Sequence, residues 1–138
     1  MYDLIPHLGE AASTLTSFSS EDNRQTLSLF PELSEIFEFL PNYQVVNEGL
    51  VRGGQPAKRG FEILREEGVK TIINIREEHH VLAGEAEMVS TLGFEYLARP
   101  VDPFAVPGDE ILLDILAIIT DSSKMPVFLH CLHGQDRT

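Results

Sequence analysis

The chain has one cysteine, no tryptophan and few basic residues. A lone cysteine, Cys131, excludes an internal disulfide framework and points to a reducing compartment, the cytoplasm. Lys and Arg number 10 against 22 Asp and Glu, for a formal net charge of −12. Nucleic-acid binding depends on basic surface, so no nucleic-acid partner is expected. No apolar run reaches the ~20 residues that a membrane span needs. The first ten residues carry neither the basic flank nor the apolar stretch of a signal peptide.

What is present is ordinary globular composition. The chain has 138 residues, 43% of them hydrophobic and 23% charged, and such a length suits a single core. Residues 1–42 read as an N-terminal helical extension and residues 43–138 as an α/β domain. Within the extension, residues 1–20 read as a poorly ordered lead-in and Glu21–Leu29 as a short helix. Pro31 suits the first turn of a second helix. There Leu33, Ile36, Phe37 and Leu40 form one apolar stripe.

From Tyr43 the pattern alternates. Tyr43–Val51 predicts one or two short strands around Glu48-Gly49, and Arg52–Pro56 a turn. Ala57–Glu67 predicts a helix stopped by Gly68. Val69–Ile75 predicts a strand, Val81–Leu92 a helix stopped by Gly93, and Phe94–Ala98 another strand. Asp109–Asp121 predicts a helix with Asp109 as its N-cap and an apolar face of Ile111, Leu112, Ile115, Leu116 and Ile119. Pro126–His130 predicts a buried strand. The fold class that follows is α/β, a largely parallel sheet flanked by helices. Ligands of such sheets bind at the carboxyl ends of the strands. Arg76, the Arg99–Asp102 segment and Cys131–Arg137 all fall there. Arg76 and Arg99 are expected to line a pocket, and Arg52 to pair with carboxylates. The Arg65-Glu-Glu and Arg76-Glu-Glu stretches are expected to be solvated.

The last of these segments carries chemistry. His130-Cys131-Leu132-His133-Gly134-Gln135-Asp136-Arg137-Thr138 follows an apolar run and contains Cys-x5-Arg-Thr. Cleaving a phosphate ester with a thiol needs a thiolate, yet a free cysteine titrates near ~8.5. Inward-facing backbone N–H groups of Leu132, His133, Gly134, Gln135, Asp136 and Arg137 would stabilise the thiolate and cradle a phosphoryl group. Gly134 allows close approach of the backbone. Arg137 supplies a planar bidentate cation. Thr138 can donate to the sulfur. His130 is expected to fix the loop rather than react, and His133 to add charge beside an anionic substrate. A zinc site built from His79, His80, His130, Cys131 and His133 is not expected, because adjacent histidines fit tetrahedral ligation poorly.

This run resembles the phosphate loop of the cysteine-dependent protein tyrosine/dual-specificity phosphatases. Val51-Arg-Gly-Gly-Gln-Pro56 and Gly68-Val-Lys-Thr-Ile-Ile-Asn-Ile-Arg76 resemble the atypical branch found in bacteria, plants and fungi. The resemblance spans about residues 43–138. It implies hydrolysis of a phosphate monoester through a phosphocysteine, with no metal or other cofactor. The implied substrate is a phosphorylated protein, a phosphoinositide or an inositol phosphate. The family also implies an aspartate general acid on a loop upstream of the cysteine. Asp102, in the proline-rich segment Arg99–Pro107, is the expected acid. Asp136 is an alternative because Asp-Arg-Thr resembles the myotubularin and Sac-type phosphatases, and Asp109 is another.

The family fold continues through C-terminal helices beyond the phosphate loop. The expectation is therefore a fragment lacking those helices, with apolar surface exposed on its central strands and a tendency to self-associate. A second hypothesis follows from it, an inactive phospho-ligand binding module or pseudophosphatase.

Overall fold

The computed structural model describes residues 31–138. The expected helix over Glu21–Leu29 lies outside the described residues. Element order is α1 (Pro31–Phe39), β1 (Gln44–Asn47), β2 (Leu50–Gly53), α2 (Lys58–Glu66), β3 (Thr71–Asn74), α3 (His79–Thr91), β4 (Glu95–Ala98), α4 (Asp109–Ile119) and β5 (Val127–His130). The strands form one five-stranded sheet in the order β1-β2-β5-β3-β4. β1 and β2 are an antiparallel hairpin, and every other pairing is parallel. This is the expected α/β class.

Strand alternation divides the core between the two faces of the sheet. Val51, Ile72 and Phe128 stand in one register row. They pack with Ile36 of α1, Leu40 just after it, Phe61 and Leu64 of α2, and Val89 of α3. Ile73 and Val127 face the other way and pack with Ile75, Val101, Cys131 and Ile118 of α4. The two helix-stopping glycines have the positive φ that ends a helix, +87° at Gly68 and +86° at Gly93.

Several details correct the expectations. Arg52 and Gly53 belong to β2, so the turn begins at Gly54. Gly108, not Asp109, is the N-cap of α4, and Asp109 lies in its first turn. Leu112 and Leu116 are exposed, whereas Ile118 is buried. The helix reads DEILLDILAII, apolar nearly all round, so sequence periodicity could not select a face. The central strands are covered: Ile72, Ile73, Val127 and Phe128 are each 0% exposed. Apolar exposure falls instead mainly on α4 and on Phe104 and Val106, in the loop before it, with Val46 on the edge strand β1 and Leu132 also exposed. No described helix is long and apolar enough to cross a membrane.

Sheet register also builds the site. Gly53, His130, Asn74 and Ala98 are neighbours across four strands. The chain therefore leaves the sheet at one level after each of them. Segments starting at Gly54, Cys131, Ile75 and Arg99 converge on the carboxyl edge.

Candidate active site

Cys131 follows the last residue of β5 and is buried. The chain then curls back so that the Gly134 N–H donates to Cys131 Sγ at 3.1 Å. The Thr138 hydroxyl lies 3.8 Å from the same sulfur. Burial pushes the thiol up. The Gly134 N–H, the Thr138 hydroxyl and the backbone of His133 and Thr138 more than offset it, and the thiol ends below its ordinary value.

A loop that turns N–H groups inward must turn carbonyls outward, and those carbonyls need partners. Here the Gln55 N–H donates to the Leu132 carbonyl at 2.9 Å. The Asn42 side-chain amide donates to the His133 carbonyl at 2.7 Å. Gly134 has φ +70°, and a Cβ there would lie 2.4 Å from the Gly53 carbon and the Gly54 nitrogen. A Cβ on Gly54 would lie 2.8 Å from the His133 carbonyl oxygen. Gly54 and Gly134 thus let the turn after β2 seat the loop by backbone-to-backbone contact.

Below the loop, His130 is fully buried between Phe128, stacked at 5.7 Å, and the edge of Phe61. Its Nδ1 lies 3.1 Å from the Cys131 carbonyl oxygen. Its Nε2 lies 2.6 Å from Glu85 Oε1. The other Glu85 oxygen accepts from the Asn74 amide at 2.5 Å, and that amide also donates to the Tyr96 hydroxyl at 3.1 Å. Burial, with the nearby Glu85 carboxylate, pushes the Tyr96 phenol up to about 12.

Arg76 is buried rather than solvated. It donates to both Glu78 oxygens, at 3.1 and 3.0 Å, and to Gln55 Oε1 at 2.9 Å. Glu78 is held down to about 2, chiefly by these Arg76 hydrogen bonds, with Arg137 adding a smaller attraction. Gln55 joins the Arg76 side of this cluster to the loop, since its own N–H holds Leu132.

Arg137 Nη1 donates to the Val101 carbonyl at 3.3 Å. Val101 in turn donates its N–H to the Ile75 carbonyl at 3.0 Å. The residue before Asp102 is thus tied to the arginine of the loop. The Asp102 carboxylate is exposed and accepts the Phe104 N–H at 2.8 Å. Asp109 is exposed at the start of α4, and Asp136 is exposed within the loop. Leu132, His133 and Gln135 are also exposed at the loop surface, whereas Gly134 is buried. Two arginines differ from expectation. Arg99 pairs with Asp114 on α4 instead of lining the pocket. Among the described residues, Arg52 pairs with no side-chain carboxylate: it donates to Gln44 and, at 2.6 Å, to the Thr138 carbonyl, holding that residue against the hairpin. Among the described residues, no cluster of three or more His, Cys, Asp or Glu side chains could hold a metal ion.

Sequence reading missed Asn42, Gln55, Glu78 and Glu85. One signal was available for Glu85. It falls in step with Leu82 and Val89 on the buried face of α3, where a carboxylate needs a partner.

Residues 38–138 match the family model described as DSP-PTPase phosphatase fused to NAD+ kinase. The chain is 36% identical over 91 residues to the probable chloroplastic NAD kinase 2 of Oryza sativa, covering 63% of this chain and 9% of that protein. It is 28% identical over 106 residues to inositol diphosphatase DSP4 of Arabidopsis thaliana, covering 72% of this chain and 53% of that one. The aligned segment is thus a small part of the first relative and about half of the second. Among solved structures, a putative phosphatase from Shewanella putrefaciens superposes with a TM-score of 0.61 at 25% identity, over 72% of this chain and 64% of that one. The catalytic core of the PP-IP phosphatase SIW14 from S. cerevisiae shares the fold, with a TM-score of 0.62 at 21% identity over 72% and 62% of the two chains.

Proposed function

The chain belongs to the family of dual-specificity phosphatase domains fused to NAD+ kinase, and on that footing we propose that it hydrolyses phosphate monoesters through a phosphocysteine on Cys131. One observation carries the reading. A buried thiol, held below its ordinary value, receives a backbone N–H inside a loop whose carbonyls are pinned outward.

The Cys131 thiolate attacks phosphorus, and the S–P bond forms as the ester P–O bond breaks. Loop N–H groups and the Arg137 guanidinium stabilise the charge on the phosphoryl oxygens. For this, Arg137 exchanges its bond to Val101 for bidentate contact with the phosphoryl group. Asp102 donates a proton to the leaving oxygen. It then accepts one from the water that cleaves the S–P bond. The Thr138 hydroxyl steadies the departing thiolate. The substrate is a phosphorylated protein, a phosphoinositide or an inositol phosphate. The Arabidopsis relative, an inositol diphosphatase, favours the last.

The test is turnover of an aryl phosphate and of a substrate panel by the unaltered chain and by Cys131→Ser. Turnover that disappears in the variant supports the reading. Phosphate binding without turnover in the unaltered chain replaces it with a phospho-ligand binding module.

A further inference from the structure

The sheet order places β5 between β2 and β3. The Cys131 loop therefore emerges between the turn after β2 and the end of β3. One side-chain contact spans that gap. Arg76, beyond β3, donates from Nη1 to Oε1 of Gln55, beyond β2, at 2.9 Å. The Gln55 N–H in turn donates to the Leu132 carbonyl, also at 2.9 Å. We propose that Gln55 is a positioning residue for the Cys131 thiolate, and that the buried Arg76–Glu78 pair acts on the thiolate through it.

A peptide unit is planar and trans, so its carbonyl and its N–H point in opposite directions. The unit between Leu132 and His133 has its carbonyl held by Gln55. Its N–H, that of His133, is one of the backbone groups that favour the charged sulfur. The next unit repeats the arrangement. Asn42 holds the His133 carbonyl, and the Gly134 N–H donates to Cys131 Sγ at 3.1 Å. Gln55 thus does for the first donor what Asn42 does for the second. Each carbonyl pinned outward keeps the N–H of the same peptide turned inward.

The Gln55 N–H belongs to the peptide that follows Gly54, and glycine leaves the direction of such a peptide open. An anchor on Gln55 itself supplies the missing constraint. Arginine suits the task because its planar fork serves two partners at once. Nε and Nη2 hold the two Glu78 oxygens, and Nη1 reaches Gln55. Arg76 is only 9% exposed, and Glu78 compensates its charge. An apolar side chain of similar volume would fill the same space without the desolvation cost. Packing alone therefore does not call for a guanidinium there. In the proposed function Cys131 is the nucleophile. The inference rests on that reading for its consequence only, and its readout needs no turnover.

The test is the pH dependence of Cys131 alkylation by iodoacetamide, measured on the whole chain beside its urea unfolding midpoint. Gln55→Met keeps the length of the side chain and removes the acceptor for Arg76. Alkylation below its midpoint is expected to slow by roughly two- to fivefold, the scale of one weakened hydrogen bond, as the midpoint moves to higher pH. In an Arg76→Met background the same substitution is expected to change nothing further, because the two residues act as one chain of contacts. An unchanged alkylation midpoint in folded Gln55→Met overturns the inference, and so do effects of the two substitutions that simply multiply. A merely structural pair would lower the unfolding midpoint and leave the alkylation midpoint in place. Should either Met variant fail to fold, Arg76→Lys decides: lysine keeps the charge but cannot hold Glu78 and Gln55 together. It is expected to show the same slowing, and normal alkylation there overturns the inference. A chain that shows this coupling yet hydrolyses no phosphate ester leaves the inference standing and removes the phosphatase reading.

Discussion

The Asn42 side-chain amide reaches across 91 positions of sequence to hold the His133 carbonyl at 2.7 Å. Asn42 itself adopts φ 51°, in the left-handed region that asparagine tolerates better than most residues. One residue thus turns the chain before β1 and pins the loop after β5. Its amide keeps that carbonyl out of the anion cradle. The net worth of one such bond is about 1 kcal/mol, or roughly fivefold in an equilibrium. Asn42→Gly keeps the backbone conformation and removes only the amide. Inorganic phosphate is expected to inhibit this variant about fivefold more weakly, while Asn42→Ala adds backbone strain and lowers the unfolding midpoint as well. Equal inhibition constants for Asn42→Gly and the unaltered chain would remove the amide from the cradle.

Gly134→Ala tests the seat of the loop. The added carbon would meet the backbone of Gly53 and Gly54 at 2.4 Å, and no side-chain rotation relieves a backbone clash. The loop must move away, carrying with it the N–H that faces Cys131. Losing one preorganised donor to a developing anion costs on the order of 100-fold in turnover. The alkylation midpoint of Cys131 is expected to rise along with that loss. A variant with normal turnover would show that the loop does not depend on this contact.

Glu78 supplies a pH signature. Its folded carboxyl titrates at about 2 because the Arg76 guanidinium holds the charged form. An unfolded glutamate titrates near about 4.3. A carboxyl depressed in this way adds stability above its unfolded value, and that stability fades as pH falls toward the folded value. Glu78→Gln is therefore expected to unfold at lower urea concentration than the unaltered chain at pH 7, with the gap closing between about pH 4.3 and about pH 2. A gap that stays constant down to pH 2.5 would detach Glu78 from the acid response. The side chain is 38% exposed, so solvent screening keeps the effect modest.

The parts of this molecule that were legible in the sequence are those set by local pattern. Val69–Ile75 is β-branched and apolar, and β3 lies within it with every residue buried. Gly68 and Gly93 marked helix ends because a positive φ has few other occupants. Cys131, Gly134 and Thr138 could be placed together because eight consecutive positions hold them. What was not legible depends on register between distant strands. Arg76 falls at a strand end, which points to a pocket, but its glutamate neighbours read as a solvated stretch. It is buried because β3 ends between β5 and β4, which brings Gln55 from beyond β2 to it, while Glu78 pairs with it from two residues on. Glu85 and His130 are separated by 45 positions and meet only when α3 packs over β5. The α4 face was legible in part: Ile111, Ile115 and Ile119 pack on the core as read, but a helix apolar on most sides gave no signal to set Ile118 above Leu112 and Leu116.

The choice of Asp102 as general acid yields the sharpest kinetic test. The loop that carries it is joined to the Cys131 loop through the Val101 carbonyl and Arg137, whereas Asp109 is in the first turn of a separate helix. A general acid matters in proportion to how badly the leaving group needs a proton. Asp102→Asn is therefore expected to slow an alkyl phosphate by 10²–10⁴-fold, on the order typical of such catalysis, and an activated aryl phosphate far less. The same leaving-group dependence appearing instead in Asp136→Asn, with Asp102→Asn equally slow on both esters, would transfer the role to the loop aspartate.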